Sequence, residues 1–334
     1  MAIRVAINGF GRIGRMFVRA IQTPENKDVE VVAVNSLSEP STLAHLLKYD
    51  SVHGRFPGEV SSTESDLVIN GKKIQVSQQS DPAGLPWGEL EIDVVLESTG
   101  VFRARDQVAV HISNGARKVL LSAPGKDMDA TVVMGVNDDI LKSEHAIISN
   151  ASCTTNCLAP IAMLLDEAYG IESGVMDTVH AYTRDQRLLD SPHTDLRRGR
   201  AGAENIVPTS TGAATAVGIV LPQLKGKLSG MALRVPVPNG SCIMLVANLK
   251  KATTAEAVNA LFQEASEGSL KGILAYNTDP IVHLDIIGDP HSAIVDAPST
   301  FMVGDRMLHL LAWYDNEAGY AHRCVDMARS VGTL

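Results

Sequence analysis

The chain has 334 residues, 45% of them hydrophobic, and a formal charge of −9. That length supports two folded domains, and the acidic balance excludes nucleic acid and anionic membrane as primary partners. No apolar run approaches the roughly 20 residues that span a bilayer, the start Met1–Val5 reads as a strand with no leader before it, and four cysteines make no disulfide framework, so the expectation is a cytoplasmic protein with reduced thiols.

In chain order, Arg4–Asn8 reads as a buried strand, Arg12–Ile21 as a helix and Val29–Val34 as a second strand. Ser41–Tyr49 follows as a helix opened by Ser41 as its cap. Val68–Ile74 reads as a hairpin turning on Asn70-Gly71, the dipeptide preferred where both central residues take positive φ. Short apolar strands are predicted at Val94–Glu97, Lys118–Ser122, Thr131–Met134 and Ala146–Ser149. Beyond residue 153 the pattern changes to longer strands, Val175–Tyr182, Met231–Val237 and Cys242–Leu249, with helices at Thr254–Ala265 and Glu317–Val331.

Between the first strand and the first helix stands Gly9-Phe10-Gly11-Arg12-Ile13-Gly14. In a G-x-G-x-x-G the first glycine makes the tight turn, the second admits a pyrophosphate and the third lets helix and strand pack closely. The pyrophosphate then rests on the helix N-terminus, where backbone donors point at it. Strand–helix alternation around this motif predicts an α/β Rossmann-type, doubly wound parallel sheet over residues 1–152, completed by a C-terminal helix at 317–334. Residues 153–316 are expected to form an α+β catalytic domain with a mainly antiparallel sheet. The acidic residue expected about 20 residues past the glycines, where it would hold a ribose 2′-hydroxyl, is replaced by Ser36. Serine does not repel a 2′-phosphate and can donate to it, so NADP is expected to be accepted alongside NAD.

Cys153 lies in Ser149-Asn150-Ala151-Ser152-Cys153-Thr154-Thr155-Asn156-Cys157, between a strand-like and a helix-like stretch. A cysteine in the first turn of a helix faces unpaired N–H groups and the positive end of the dipole, which predicts a lowered thiol pKa and a reactive sulfur. Cys157 stands one turn on, but no second pair or nearby histidine completes a metal site, and none is expected.

This run, the glycine motif and Trp313-Tyr314-Asp315-Asn316-Glu317 together resemble the phosphorylating glyceraldehyde-3-phosphate dehydrogenase family, with the erythrose-4-phosphate dehydrogenases as near relatives. The resemblance runs end to end. It implies that Cys153 is the nucleophile and His180 its base, and that aldehyde oxidation passes through a thioester cleaved by inorganic phosphate. It implies further that Thr183 and Arg234 surround the phosphate of a small phosphorylated aldehyde, while Ser152, Thr154, Arg198, Thr211 and Gly212 surround the attacking phosphate. Gly9, Gly11, Arg12, Ile13, Gly14, Ser36, Ser122 and Asn316 are implied as the cofactor contacts, and a homotetramer as the assembly, with the loop Gln186–Arg200 lining a neighbour's cofactor pocket. Nothing in the residues alone separates Arg198 from Arg197.

Departures from the family pattern are Arg184, where asparagine is usual, and Ala318, where tryptophan is usual. Asp289–Asp296 resembles the erythrose-4-phosphate branch, whereas Thr209–Ala214 and Arg198 keep the pattern for inorganic phosphate. Glyceraldehyde 3-phosphate is therefore the favoured substrate and erythrose 4-phosphate the runner-up. A catalytically retired paralogue acting as a scaffold is the alternative of another class. Retention of Cys153, His180, Arg234 and the glycine motif argues against it.

Overall fold

The computed structural model describes residues 2–334; Met1 lies outside the described residues. Contacts divide the chain into two units. One takes the chain up to Met134, Asp138–Ser152 and Ala321–Leu334; the other takes Gly135–Asn137 and Cys153–Tyr320.

The first unit opens with β1 (Ile3–Asn8), α1 (Arg12–Ala20), β2 (Val29–Asn35) and α2 (Pro40–Lys48). A small ribbon of β3 (Tyr49–Asp50) and β4 (Gly54–Arg55) leads to β5 (Val60–Ser62), β6 (Asp66–Ile69) and β7 (Lys72–Ser77). Then come β8 (Val94–Glu97), the short helices α3 (Arg105–Val108) and α4 (Val110–Ser113), β9 (Lys118–Leu121), β10 (Ala130–Thr131) and β11 (Ile147–Ser149). The sheet runs β10-β11-β9-β8-β1-β2-β7-β6-β5. It is parallel from β10 to β7 and antiparallel across the β7-β6-β5 meander. The central strands are apolar runs buried on both faces, as parallel sheets require: Val94, Val95 and Leu96 are inaccessible to solvent, as are Val119, Leu120 and Leu121.

β1 has β2 on one side and β8 on the other, so the chain reverses its winding there. A sheet of this kind binds ligands outside the carboxyl ends of the strands at such a switch. The turn leaving β1 needs glycine twice. Gly9 takes φ +98°, and a Cβ there would lie 2.6 Å from the Thr99 nitrogen; a Cβ on Gly14 would lie 2.7 Å from the Gly9 carbonyl oxygen. The third glycine thus lets α1 lie against the turn, as its position in the motif predicts. The predicted hairpin is present too, with Ile69 opposite Lys72 and positive φ at both Asn70 and Gly71.

Two sequence expectations fail here. Ser41 does not cap α2: the helix begins at Pro40, with Glu39 as the N-cap residue, because proline's fixed φ suits the first helical position and places Ser41 inside the first turn. The strand expected over Thr131–Met134 shrinks to Ala130–Thr131 at the sheet edge. Val132 and Val133 are fully buried, and Val132 N–H donates to the Ser149 carbonyl of β11 at 2.9 Å, one bond past the end of the strand.

The second unit is built round α5 (Cys153–Tyr169), buried along most of its length and containing Pro160. β12 (Ile171–Ala181), β13 (Val207–Ser210), α6 (Ala213–Val220), β14 (Leu228–Val235) and β15 (Ser241–Leu249) follow. α7 (Ala255–Glu267) is capped by the Thr254 hydroxyl, which accepts from Ala257 N–H, as the sequence predicts. β16 (Leu274–Asn277), β17 (Ala293–Asp296), β18 (Phe301–Val303) and β19 (Met307–Tyr314) complete a sheet ordered β13-β14-β12-β15-β19-β17-β16, with β18 paired to β19. Its pairing is mainly antiparallel. The exceptions are β12 with β14 and β16 with β17.

α8 (Ala318–Gly332) ends the chain. Its first residues stay with the second unit, where a Cβ on Gly319 would lie 2.5 Å from the His291 carbonyl oxygen. From Ala321 it belongs to the first unit. Arg329 binds Asp28 there, and a Cβ on Gly332 would touch Ile3. The division therefore falls later than the expected start of that helix at Glu317.

The glycine turn gives a direct test. Gly14→Ala forces α1 off the turn and should cost about 1–3 kcal/mol, the usual range for overpacking, seen as a lowered thermal midpoint. Gly11→Ala, whose Cβ meets no atom within 4 Å, should leave the midpoint within a degree or so, as surface substitutions do. Equal effects would contradict this packing.

Candidate active site

Cys153 is the first residue of α5 and is half-buried. The chain reaches it through Ala151 at φ 52°, a left-handed conformation that costs a non-glycine residue free energy and that gathers at functional sites. Its Sγ lies 3.4 Å from Nε2 of His180. His180, 3% exposed, is the penultimate residue of β12, and the parallel register of β12 with β14 sets it directly beside Arg234.

That register decides what the imidazole can do. Nδ1 sits 2.8 Å from the Ala181 carbonyl oxygen and 2.7 Å from Nη1 of Arg234, which itself donates to the same carbonyl at 3.0 Å. The ring is therefore bracketed by one acceptor and one donor. With its proton on Nδ1 it donates to Ala181, and Nε2 presents a lone pair to the thiol. With Nδ1 accepting from Arg234, Nε2–H donates to the sulfur. Both neutral tautomers are satisfied. The doubly protonated ring is disfavoured, since it would set a second positive charge beside the Arg234 guanidinium. Burial first and Arg234 second hold the imidazole pKa down to about 3.

The sulfur departs from expectation. Desolvation raises the Cys153 thiol above its ordinary value, outweighing Arg234 and the Thr154 hydrogen bonds that pull it down. The start of a helix does not by itself ionise this thiol. The neutral imidazole beside it is the group placed to take its proton.

Behind the pair stands Tyr314, the last residue of β19 and fully buried. Its hydroxyl shares hydrogen bonds with Thr154 Oγ1 at 2.8 Å and Thr178 Oγ1 at 3.0 Å, and Thr178 donates to the Cys242 carbonyl at 2.9 Å. The tyrosine ring meets His180 edge-on at 5.9 Å. Burial carries its phenol well above the ordinary value, so Tyr314 remains a neutral wall. Sequence reasoning missed Tyr314 and Thr178. Tyr314 lay within the C-terminal motif, but nothing local tied it to a residue far earlier in the chain.

The anion-binding candidates are also set apart. Arg198 donates from Nε to Thr209 Oγ1 at 2.7 Å, from Nη1 to Asp185 Oδ2 at 2.6 Å and from Nη2 to the Ser210 carbonyl at 3.3 Å. This places it along β13, which leads into Thr211 and Gly212 at the start of α6. Arg197 is exposed, and its backbone N–H binds Asp195. The structure thus separates two arginines that the sequence left equivalent. Arg184 is exposed, and the neighbouring carboxylate Asp185 pairs with Arg198 instead. Thr183 N–H donates to Gln186 Oε1 at 3.3 Å. Asn316 accepts from Ser241 Oγ at 2.7 Å through Oδ1, so any further bond it donates comes from Nδ2.

In the first unit, Gly9, Gly11 and Gly14 stand at the carboxyl end of β1. No heavy atom lies within 4 Å of a Cβ built on Gly11, and the first N–H groups of α1 follow at once: a turn of this kind fits a dinucleotide diphosphate. Arg12 is ion-paired with Asp50. Desolvation opposes charge on that carboxylate, yet Arg12 and two backbone N–H groups hold its pKa down to about 2. Ile13 is half-buried on α1. Ser36 follows β2, its N–H donating to Ser77 O at 2.9 Å. Ser122 Oγ donates to Glu97 O at 3.1 Å, and Ser152 is half-buried.

A dinucleotide-binding unit and a thiol–imidazole pair in the second unit are the parts of a thiol-dependent dehydrogenase. Residues 3–105 match the glyceraldehyde 3-phosphate dehydrogenase NAD binding domain, and residues 152–316 match the glyceraldehyde 3-phosphate dehydrogenase C-terminal domain. The chain is 56% identical over 334 residues to glyceraldehyde-3-phosphate dehydrogenase of Geobacillus stearothermophilus, covering 100% of this chain and 99% of the relative. It is 55% identical to the Streptomyces coelicolor enzyme of that name over 334 residues, covering 99% of each. With glyceraldehyde-3-phosphate dehydrogenase 1 of Bacillus subtilis it shares 55% identity over 329 residues, 98% of each. The chain belongs to the glyceraldehyde 3-phosphate dehydrogenase family.

His180→Asn tests the site in two ways. Between pH 6.5 and about 3 the unfolded chain binds a proton at His180 that the folded chain does not, so acid costs stability in that window. The variant should lose less of its urea midpoint than the parent between pH 7 and pH 5. Alkylation of Cys153 by iodoacetamide at pH 7 should also slow by about tenfold or more, the lower end of what a general base contributes. An unchanged alkylation rate would remove His180 from the sulfur's chemistry.

Proposed function

We propose that this chain oxidises D-glyceraldehyde 3-phosphate with a nicotinamide dinucleotide and inorganic phosphate to 1,3-bisphosphoglycerate, through a thioester on Cys153. The observation that carries this reading is the 3.4 Å approach of Cys153 Sγ to Nε2 of an imidazole kept neutral by burial and Arg234. In the Nδ1-protonated tautomer, His180 takes the thiol proton as the sulfur attacks the aldehyde carbon. The Cys153 backbone N–H donates to the oxygen that has gained charge, and Nε2–H passes its proton to that oxygen, which makes the hydroxyl of the adduct and returns His180 to its neutral form. His180 removes the hydroxyl proton of the adduct in the oxidation that follows. Gly9, Gly11, Arg12, Ile13, Gly14, Ser36, Ser122 and Asn316 would hold a nicotinamide dinucleotide, which would supply the hydride acceptor for this oxidation. Thr183 and Arg234 hold the substrate phosphate. Ser152, Arg198, Thr211, Gly212 and the backbone of Thr154 hold the attacking phosphate; the Thr154 hydroxyl is committed to Tyr314. Arginine forks with hydroxyl and backbone donors are the usual means of holding such anions.

We further propose that NADP is accepted as well as NAD. Ser36 removes the carboxylate that would repel a 2′-phosphate, while the adjoining exposed side chains, Glu39 and Gln78, pair with each other and add no cation. Acceptance, not exclusion of NAD, follows. The homotetramer and the cytoplasm are proposed on the family resemblance; four free cysteines suit a reducing compartment.

An assay crossing glyceraldehyde 3-phosphate and erythrose 4-phosphate with phosphate present or absent tests the reading. Multiple turnovers should require phosphate and favour glyceraldehyde 3-phosphate, and Cys153→Ser should abolish them. Phosphate-independent turnover, or an active serine variant, would overturn it. Ser36→Asp should lower kcat/KM with NADP by about tenfold or more while sparing NAD, the pattern of an added repulsion; equal effects on both cofactors would remove Ser36 from the ribose site.

A further inference from the structure

Beneath the glycine turn of the first unit lies a chain of buried polar side chains that the reaction scheme does not use. Glu97, which closes β8, is fully buried with His111 and Trp87, while Asn8 and Asn35, closing β1 and β2, are 1% and 5% exposed. Oε1 of Glu97 accepts from the backbone N–H of Thr99 at 2.9 Å and from the Thr99 hydroxyl. Oε2 accepts from Asn8 Nδ2 at 2.6 Å and from His111 Nε2 at 3.2 Å.

The direction of each bond is fixed. Trp87 Nε1 lies 3.0 Å from His111 Nδ1, and an indole N–H can only donate. Nδ1 therefore carries the lone pair, and the ring proton sits on Nε2, towards the carboxylate. Asn8 gives its amide protons to Glu97, so its Oδ1 accepts from Asn35 Nδ2 at 2.7 Å. Asn35 in turn exchanges two bonds with the backbone of Gln79, each 2.9 Å.

A carboxylate at this depth is costly unless all its bonds are made, and an apolar residue would fill the strand position as well. The difference lies in where the bonds end. Thr99, held by Glu97, places its backbone nitrogen 2.6 Å from the Cβ position of Gly9. Ser98 donates from N to the Asn8 carbonyl at 2.8 Å and from Oγ to the Gly9 carbonyl at 2.7 Å. Gly9 N–H donates to the Asn35 carbonyl at 2.9 Å. The turn is gripped by the ends of β2 and β8, and both grips are tied to one carboxylate.

We propose that Glu97, oriented by His111 and Trp87, is a positioning residue for dinucleotide binding, holding the Gly9–Gly11 turn in its receptive shape by pinning Thr99 and Asn8 together. This rests on the reading of that turn as the seat of the dinucleotide diphosphate. Glutamine in place of Glu97 keeps the volume but puts an NH₂ against donors, either those of Thr99 or those of Asn8 and His111. Exchanging the partner as well, in Asn8→Asp with Glu97→Gln, relieves the contact with residue 8, while the glutamine NH₂ still faces His111 Nε2–H. The glutamine amide then donates to the introduced carboxylate, Asn35 Nδ2 still finds an acceptor there, and His111 Nε2, 3.5 Å from the Asn8 Nδ2 position, faces an oxygen.

Calorimetric titration of the full chain with NAD and with NADP tests the proposal. Glu97→Gln should weaken both by about tenfold, as loss of a buried charged hydrogen bond does, and raise the cofactor KM in parallel while kcat at saturation stays within about twofold. The double variant, which relieves one of the two clashes, should recover part of the affinity. Unchanged binding in Glu97→Gln, a loss confined to kcat, or a double variant no better than the single would each overturn the proposal. Should Glu97→Gln not fold, Trp87→Phe, which removes one donor from His111, carries the expectation at about threefold, and unchanged affinity there overturns it. Gly11→Val serves as a separate control: if it binds cofactor normally, the turn is not the diphosphate seat, and that reading fails on its own account.

Discussion

The pairing of β12 with β14 is the constraint from which the catalytic geometry follows. These are parallel neighbours in a sheet that is otherwise mainly antiparallel, and their register sets His180 opposite Arg234. A shift of β12 by one residue would turn the imidazole to the other face, and it would lose the cysteine and the guanidinium together. The strand is held by packing against α5, whose apolar length buries it in the second unit and leaves Cys153 at its first turn. The Cys153 sulfur is placed by a helix start and the His180 imidazole by a strand end, both rigid elements, so the approach of 3.4 Å needs no side chain to be held by a loop.

The electrostatics follow from burial, with the guanidinium as the modifier. Desolvation opposes charge on both the thiol and the imidazole, and Arg234 makes a cationic ring still less favourable while easing an anionic sulfur. The site is therefore built to move one proton between neutral partners, with both tautomers of the ring hydrogen-bonded. The first unit solves a related problem by the same means. There a buried carboxylate, satisfied by neutral donors, fixes the backbone of a turn that has to present N–H groups to an anion, and a ring of strand ends carries its influence to Gly9.

Much of this was legible in the sequence because the informative segments are short and local. The glycine run, the Asn70-Gly71 turn, the Thr254 cap and the cysteine run each act within a few residues. The parts that were not legible depend on partners far apart in the chain. Tyr314 reaches Thr154 and Thr178 only through the order of β12, β15 and β19. Arg198 differs from Arg197 only in which of them lies along β13. The acidity expected of Cys153 from its helix position was overridden by desolvation, a property of the packed unit and not of the local run. Ser41 lost its capping place to Pro40 next to it, a competition between two local signals that spacing alone does not rank.

The most direct test is to trap the acyl group. Enzyme mixed with glyceraldehyde 3-phosphate and NAD without phosphate, quenched in acid within one turnover and digested, should carry the acyl mass on the peptide containing Cys153, and the same experiment with His180→Asn should accumulate it far more slowly. An acyl group found on another residue, or equal rates in the two proteins, would contradict a sulfur that acts through this imidazole.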